Sequence, residues 1–416
     1  MKLSESSKEQ LDVAQIPVTL QDILHARRRL QGVSRHTPLE PSETFSEVSC
    51  CKVFCKLENL QKTGSFKLRG AYNKIATLGR SPGGVVAASA GNHAQGVAFA
   101  SSRAGLSSTI VMPEGAPITK IEATRAYGAE VVLRGQVYDE AFAAAQEIRE
   151  KTGAIFVHAF NDPLVIAGQG TIGLELLQDL PDVDAVVVPI GGGGLISGVA
   201  CAIKEQRPGV QIIGVQAAGA PSMLEACRAG KIQELNSAQT IADGIAVRRP
   251  GDLTFAMVQK YVDQIIAVDD EEIAWSILML LERSKLMVEG AGAVGMAALI
   301  HKKCDLMGKK VAVILSGGNI DVNVISIIIE RGLVKAGRYL RLRTMISDRP
   351  GALQKLLSTV AASGANVISI AHDRIKPNVP LKQAEVEIAL ETRNSQHIEQ
   401  IVEEMHQIGY VADILK

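Results

Sequence analysis

The 416-residue chain has little of what marks several classes of protein. Aromatic residues make up only 4% of it, and 44 Lys and Arg residues are balanced by 44 Asp and Glu residues. Because there is no basic surplus to hold a polyanion, nucleic-acid binding is not expected. The longest apolar runs are shorter than a membrane span, so no transmembrane helix is expected either.

Several catalytic and metal-binding patterns are also missing. The eight histidines form no cluster with metal-ligand spacing, and the absence of a Gly-x-Ser-x-Gly motif argues against a hydrolase. Six cysteines scattered through a long chain predict reduced thiols and a cytoplasmic protein. Residues 1–20 are polar and mixed in charge, so no signal peptide is expected there.

What the chain does have is a repeating order of short apolar strands, glycine-rich loops and helices. Strands are predicted at residues 84–89 and 184–190, for example, and a turn at residues 90–96 is expected to lead into a helix at residues 97–104. Such alternation is typical of parallel sheets covered by helices on both faces. Ligands in these sheets collect at the carboxyl ends of the strands, which is where the unusual loops of this chain fall.

One of these loops contains Lys67. Gly64 breaks the preceding segment, and Ser65 is predicted to be the N-cap of a helix over residues 66–78. A lysine in the first turn of a helix faces the positive end of the helix dipole, which disfavours its charged form. Since only a neutral amine attacks an aldehyde, Lys67 is the candidate nucleophile.

A second loop, Gly191-Gly-Gly-Gly-Leu195, follows a predicted strand and opens a helix. Four consecutive glycines let backbone N–H groups converge on an anion at the positive end of that helix. The spacing fits neither the dinucleotide fingerprint nor a P-loop. The loop is therefore predicted to hold a monophosphate.

Two further loops are less specific. Ser89-Ala-Gly-Asn-His-Ala-Gln-Gly96 could bind a carboxylate through exposed N–H groups, or its Asn92 and His93 could be turn and capping residues. Ser316-Gly-Gly-Asn319 offers a neutral hydroxyl for a ring nitrogen or a phosphate, or for a helix cap.

Taken together and in their order along the chain, the four loops resemble the pyridoxal-phosphate enzymes of the tryptophan synthase β-like group (fold type II). The match is closest to the threonine and serine dehydratases and covers roughly residues 17 to 330. The resemblance implies an α/β fold of two domains with parallel sheets at residues 1–332. A smaller subdomain of roughly residues 60–160 is then inserted in the larger one.

The resemblance also implies a cofactor, pyridoxal 5'-phosphate, held by Lys67 as a Schiff base. Phe66 and Gly244 would flank its ring, Asn92 would contact its phenolic oxygen, and Ser316 its pyridine nitrogen. The phosphate of the cofactor would be held by Gly191, Gly192, Gly193, Gly194 and Leu195. The carboxylate of the substrate would bind to the backbone of Ser89, Ala90, Gly91, Asn92 and His93.

The implied reaction is the dehydration and deamination of L-threonine to 2-oxobutanoate and ammonia, with L-serine as a further substrate. Lys67 would remove the α-proton before the β-hydroxyl leaves. A dehydratase of serine or 3-hydroxyaspartate stays open, because one methyl group changes binding by only about 1–3 kcal/mol. A catalytically inactive amino-acid-binding regulator is the other alternative.

Two departures from related racemases bear on this reaction. Racemases of the group carry a second serine where this chain has Ala90, so racemisation is expected to be poor. Their divalent metal is bound by acidic residues, whereas Gln216, Ala220 and Ser222 stand at the comparable places. No metal site is therefore expected.

The C-terminal residues 338–416 follow a different pattern, strand-helix-strand-strand-helix-strand, which predicts a ferredoxin-like α+β module. Asp348 is predicted to cap its first helix, with Pro350 in the first turn, and residues 330–337 are predicted to be a linker. With Asp348-Arg-Pro-Gly351, the module is similar to ACT regulatory domains.

That similarity implies regulation by an amino acid, with isoleucine or valine as the effector if the enzyme serves isoleucine biosynthesis. The expected contacts are residues 348–353 and 364–367, at an interface shared by subunits of a homodimer or homotetramer. A module that only assembles the oligomer is the alternative.

Overall fold

The structure, a computed structural model, describes residues 1–2, 17–79, 81 and 83–415. These residues form two compact units, Met1–Asp321 and Val322–Lys416. Most of residues 1–20, where no signal peptide is expected, lie outside the described residues. The predicted domain limits, 1–332 and 338–416, stay predictions.

The first unit contains ten described strands and twelve described α-helices. The strands are β1 (Leu39–Ser42), β2 (Lys52–Lys56), β3 (Val85–Ala88), β4 (Ser108–Met112), β5 (Glu130–Leu133), β6 (Ile155–Phe156), β7 (Ala185–Pro189), β8 (Gln211–Ala217), β9 (Gln264–Val268) and β10 (Lys310–Ile314). The helices are α1 (Leu20–Leu30), α2 (Glu43–Ser49), α3 (Lys67–Ile75), α4 (Asn92–Ala104), α5 (Ile118–Ala126), α6 (Tyr138–Thr152), α7 (Pro163–Asp179), α8 (Gly194–Lys204), α9 (Ser222–Ala229), α10 (Asp252–Tyr261), α11 (Asp270–Ser284) and α12 (Gly290–Ile300).

The larger sheet of this unit has the strand order β1-β2-β10-β7-β8-β9. β1 is antiparallel to β2, and the other neighbours are parallel. Its central strand β7 (Ala-Val-Val-Val-Pro) is buried over its whole length, as expected of a strand covered on both faces. The prediction of parallel sheets is confirmed.

A smaller sheet, with the order β5-β4-β3-β6, is parallel throughout. All four strands come from residues 85–156, a stretch that lies inside the subdomain expected at roughly 60–160. The carboxyl end of β3 leads directly into the loop before α4. In the larger sheet, the carboxyl ends of β7 and β10 likewise lead directly into the loops that contain Gly191 and Ser316.

The second unit contains the helices α13 (Val322–Lys335), α14 (Ala352–Ala362) and α15 (Ser395–Gln407) and the strands β11 (Tyr339–Ser347), β12 (Asn366–Asp373), β13 (Gln383–Glu391) and β14 (Ala412–Leu415). Its antiparallel sheet has the order β12-β13-β11-β14. Leu342, Leu356 and Ile401 are among the buried residues that join the sheet to α14 and α15. The predicted ferredoxin-like module is confirmed.

Two predicted helix starts near the loops of the first unit are wrong. Helix α3 begins at Lys67 with Phe66 as its N-cap, and the buried Ser65 hydroxyl has no partner among the described residues. Helix α4 begins at Asn92, so most of the predicted turn at residues 90–96 is helical. The glycines predict a turn, but of these only Gly91, the N-cap residue (φ −134°, ψ −145°), lies outside the helix, and Gly96 is buried within it.

Two predictions in the second unit are also wrong. Residues 330–335 of the expected linker belong to α13, because Ile325, Ile328 and Gly332 bury one face of a helix. Helix α14 is capped by Gly351 in the left-handed conformation (φ 86°), and Asp348 is not its cap. The backbone N–H of Asp348 donates to the Lys382 carbonyl at 2.9 Å.

Candidate active site

The Lys67 loop is attached to the end of β10. The Phe66 N–H donates to the Ser316 carbonyl at 3.1 Å, and Ser65 forms an isolated antiparallel bridge with Gly317. Two predicted loops that lie about 250 residues apart in the sequence are therefore adjacent, with the buried Ser316 beside the start of α3.

The Lys67 amine lies inside the first unit, beside the segment that follows β6. Its Nζ donates to the Ala159 carbonyl at 3.2 Å and lies 5.2 Å from the centre of the Phe66 ring. Burial lowers the pKa of Lys67 to about 8, against the opposing charge of Glu289. About a tenth of the amine is then neutral at pH 7. A perturbed Lys67 was expected from the helix dipole, but burial is the larger cause.

Two neutral histidines lie near this amine. Burial, followed by the Lys67 charge, lowers the pKa of His93 to about 3 and that of His158 to about 4. His93 Nε2 lies 2.8 Å from the Val157 carbonyl, which makes this nitrogen the protonated one. The surroundings of Lys67 therefore carry no imidazolium charge at neutral pH.

The tetraglycine turn connects β7 to α8. Gly193 has φ 96°, and a Cβ on Gly192 would lie 2.4 Å from the Phe160 ring, so side chains are excluded at both positions. Within the described part of the chain, no acceptor takes a hydrogen bond from the N–H groups of Gly191–194. Free N–H groups at the start of α8 suit an anion.

The loop before α4 is built in a similar way. Residues 89–92 are partly exposed, and Ser89 Oγ accepts a hydrogen bond from the Gly91 N–H at 3.2 Å. The N–H groups of Ala90, Asn92 and His93 find no acceptor among the residues that the structure describes. They form a second place for an anion, at the positive end of another helix.

Gly244 lies in a short 3-10 turn, Asp243–Ile245, which is close to both the tetraglycine turn and Glu289. A Cβ on Gly191 would be 3.0 Å from the Ile245 Cα, and one on Gly244 would be 3.6 Å from Glu289 Oε1. The structure thus brings all the predicted loops together at the carboxyl ends of β3, β7 and β10. Leu195 packs into the core, so only its backbone faces this region.

Sequence reasoning missed two side chains of this site. Phe160 packs its ring on Gly192 and its backbone on Gly194. Glu289 is buried and accepts a hydrogen bond from Asn92 Nδ2 at 2.7 Å. Burial raises the pKa of Glu289 to about 7. A lone acidic residue in the otherwise apolar stretch 286–300 was the available signal for it.

The places that correspond to a metal site in racemases hold a hydrogen-bond donor. Gln216 is buried, and its Nε2 lies 3.4 Å from the carbonyl oxygens of both Ile190 and Ala220. The Gln216 Oε1 accepts from the Leu224 N–H at 2.8 Å, so both ends of this side chain are engaged in hydrogen bonds. No group of three or more His, Cys, Asp or Glu side chains suited to a metal occurs in the described ranges.

Comparison with known proteins agrees with this arrangement. A family model described as pyridoxal-phosphate dependent enzyme matches residues 30–317, and a model described as ACT domain matches residues 338–415. The chain is 56% identical over 400 residues to an L-threonine ammonia-lyase of Thermotoga maritima, covering 96% of this chain and 100% of that protein.

Two further relatives extend the comparison. An L-threonine ammonia-lyase of Geobacter sulfurreducens is 52% identical over 404 residues, with 96% of this chain and 100% of that protein covered. The solved structure of threonine deaminase isoform 2 from Solanum lycopersicum has a TM-score of 0.72 and 40% sequence identity, and the match covers 75% of this chain and 91% of that one.

The residues present fit the cofactor of this family. An amine with a lowered pKa can hold an aldehyde carbon, unpaired N–H groups at Gly191–194 can hold a phosphate, and Asn92 offers an amide hydrogen near Gly317. The chain belongs to the family of pyridoxal-phosphate dependent enzymes and carries a C-terminal ACT domain.

Proposed function

We propose that this protein is a threonine ammonia-lyase, which converts L-threonine to 2-oxobutanoate and ammonia and also acts on L-serine. The proposal is supported by relatives of that name at 56% and 52% identity over almost the whole chain. The observation that carries it is the Lys67 amine, which donates to the Ala159 carbonyl at 3.2 Å, next to the Phe160 ring that packs on Gly192 of the tetraglycine turn.

The cofactor, when bound, draws electrons away from the α-carbon of an attached amino acid. The chain supplies the positions: Lys67 for the aldehyde carbon, Gly191–194 and the Leu195 backbone for the phosphate, and Ser316 for the pyridine nitrogen. Phe66 and Gly244 would flank the ring.

Lys67 has a second task once the substrate is bound. With a pKa of about 8, its amine can accept the α-proton at neutral pH and release it again within the reaction cycle. Within residues 89–93, the N–H groups of Ala90, Asn92 and His93 would hold the substrate carboxylate, which turns the α-carbon toward this amine. The buried surroundings exclude bulk water from the proton while it is transferred.

The first test is the release of 2-oxobutanoate from L-threonine, with Lys67→Ala as the inactive variant. Lys62→Ala is the matched control, because Lys62 lies in the same loop and is exposed. Rapid release that is abolished only by Lys67→Ala supports the proposal. A yellow protein without release would redirect the assay to serine and 3-hydroxyaspartate, and a colourless one would favour an inactive amino-acid-binding regulator.

Regulation through the second unit is part of the proposal. Residues 348–353 and 364–367 lie at opposite ends of α14, whose eleven residues span about 16 Å. One small amino acid cannot touch both ends within a single chain. This separation supports an effector site that is shared between two copies, in a homodimer or homotetramer.

The effector is proposed to be isoleucine or valine, in keeping with a role in isoleucine biosynthesis in the cytoplasm. No described helix is both long and apolar enough to cross a membrane. A titration of the 2-oxobutanoate rate with isoleucine, valine and leucine tests the regulation. An unchanged rate, together with loss of the oligomer when the second unit is removed, would instead indicate a module for assembly.

A further inference from the structure

The carboxylate of Glu289 lies where three loops of the site meet. Its Oε1 is 2.3 Å from the place where a Cβ of Gly317 would be, and 3.6 Å from that of Gly244. The backbone N–H of Glu289 donates to the Gly317 carbonyl at 3.0 Å. Although Glu289 is the N-cap residue of α12, its side chain makes no capping hydrogen bond. The side chain is directed instead at Asn92.

The hydrogen bonds around Asn92 determine which way its amide points. Asn319 Nδ2 donates to the Thr63 carbonyl at 2.9 Å, which can only accept, so the nitrogen of Asn319 is identified. The same nitrogen donates to Asn92 Oδ1 at 2.7 Å. Asn92 Nδ2 must then face Glu289, at 2.7 Å.

We infer that Glu289 is a positioning residue, which together with Asn319 fixes the Asn92 amide so that its second N–H is left for the cofactor. An amide has two N–H donors and one oxygen. Glu289 takes one donor and Asn319 occupies the oxygen, so a single donor remains in a known orientation. This inference rests on the proposed contact of Asn92 with the cofactor, and is independent of the substrate.

Glu289 also acts through its charge. Its carboxylate favours the protonated form of Lys67. The groups that face Glu289 are Asp243 from the 3-10 turn, Lys120 from α5 and Lys67 from α3; Asp243 raises the pKa of Glu289, and the two lysines lower it. Lys120 is paired with Asp243 at 2.6 Å, and the side-chain hydrogen bond of Glu289 is the one that it accepts from Asn92.

The experiment uses the full-length holoenzyme, without substrate, and measures two quantities. One is the dissociation constant for pyridoxal phosphate, and the other is the pH midpoint of the cofactor's visible absorption. Glu289→Gln keeps an oxygen that can accept from Asn92 but has no charge, whereas Glu289→Ala removes both. Glu225→Gln is the control, since this exposed carboxylate pairs with Arg228 on the surface of α9.

We expect Glu289→Ala to weaken cofactor binding about tenfold or more, because one charge-assisted hydrogen bond is lost. Glu289→Gln should restore most of the affinity. Both variants should move the pH midpoint downward, by on the order of one unit, since the charge that favours a protonated nitrogen is gone. In an Asn92→Ala background, Glu289→Ala should weaken binding little further.

Two results would overturn the inference. One is a wild-type affinity in Glu289→Ala, and the other is an equal loss of affinity in Glu289→Ala with and without Asn92. If Glu289→Ala fails to fold, Asn319→Ala tests the same arrangement from the other side and should also weaken binding. A wild-type protein that binds no pyridoxal phosphate would refute the proposed function itself, which is a different outcome.

Discussion

Replacing Glu58 by glutamine should destabilise the first unit, because it removes one of the two carboxylates that pair with the buried Arg69. Glu58 and Arg69 are both fully buried. Arg69 Nε donates to Glu58 Oε2 at 2.9 Å and Nη2 to Oε1 at 2.7 Å, and Thr37 also donates to Oε1. Burial alone would lower the pKa of Arg69, but Glu58 and Glu175 outweigh it and raise this pKa.

The size of the effect follows from this geometry. In Glu58→Gln an amide N–H₂ faces a guanidinium N–H, so one of the two hydrogen bonds becomes a contact between donors. The Arg69 guanidinium still pairs with Glu175 at 2.6 Å, but its other partner no longer carries a charge. We therefore expect the free energy of unfolding to fall by about 3 kcal/mol, the lower end of the range for breaking a buried ion pair. The exposed pair of Glu225 and Arg228 should contribute only about 0–1 kcal/mol.

The assay is urea unfolding followed by tryptophan fluorescence. The chain has one tryptophan, Trp275, and it lies in α11, so the signal reports on the first unit. Glu58→Gln should lower the transition midpoint clearly, whereas Glu225→Gln should leave it almost unchanged. Equal midpoints for the two variants would refute the reasoning. The double variant Glu58→Met with Arg69→Met should be less destabilised than the sum of the single ones, because no charge is left unpaired.

Three further predictions concern the site and the second unit. Gly192→Ala should weaken pyridoxal-phosphate binding in a fluorescence titration at least about tenfold, since its Cβ would overlap the Phe160 ring, while Gly209→Ala, with nothing within 4 Å, should bind normally. The rate at which the apoprotein takes up pyridoxal phosphate should rise with pH up to about 8, because Lys67 must lose its proton, and a flat profile from pH 6 to 9 would contradict the lowered pKa. Leu356→Ala, at a fully buried position, should lower the free energy of unfolding by about 2–5 kcal/mol when unfolding is followed by circular dichroism, and a loss below about 1 kcal/mol would mean that this core repacks.

The apolar strands, the tetraglycine turn and Lys67 could be recognised from the sequence. A strand such as β7 needs consecutive apolar residues, and a turn with φ 96° at Gly193 needs glycine, so each has a recognisable local sequence pattern. Local sequence patterns predict the helix starts less reliably. Ser65 has the residue type of a cap, but its hydroxyl is turned into the protein and makes no capping hydrogen bond.

Only the tertiary structure decided how these parts act on one another. Asn92 and Glu289 are 197 positions apart and Asn92 and Asn319 are 227 apart, so no spacing or periodicity predicts their hydrogen bonds. The pKa of Lys67 is likewise set mainly by burial, which depends on elements from the whole of the first unit. The sequence by itself determined which groups are available and the local backbone that carries them. Their protonation and orientation required the folded chain, because desolvation and long-range hydrogen bonds arise only when distant segments pack together.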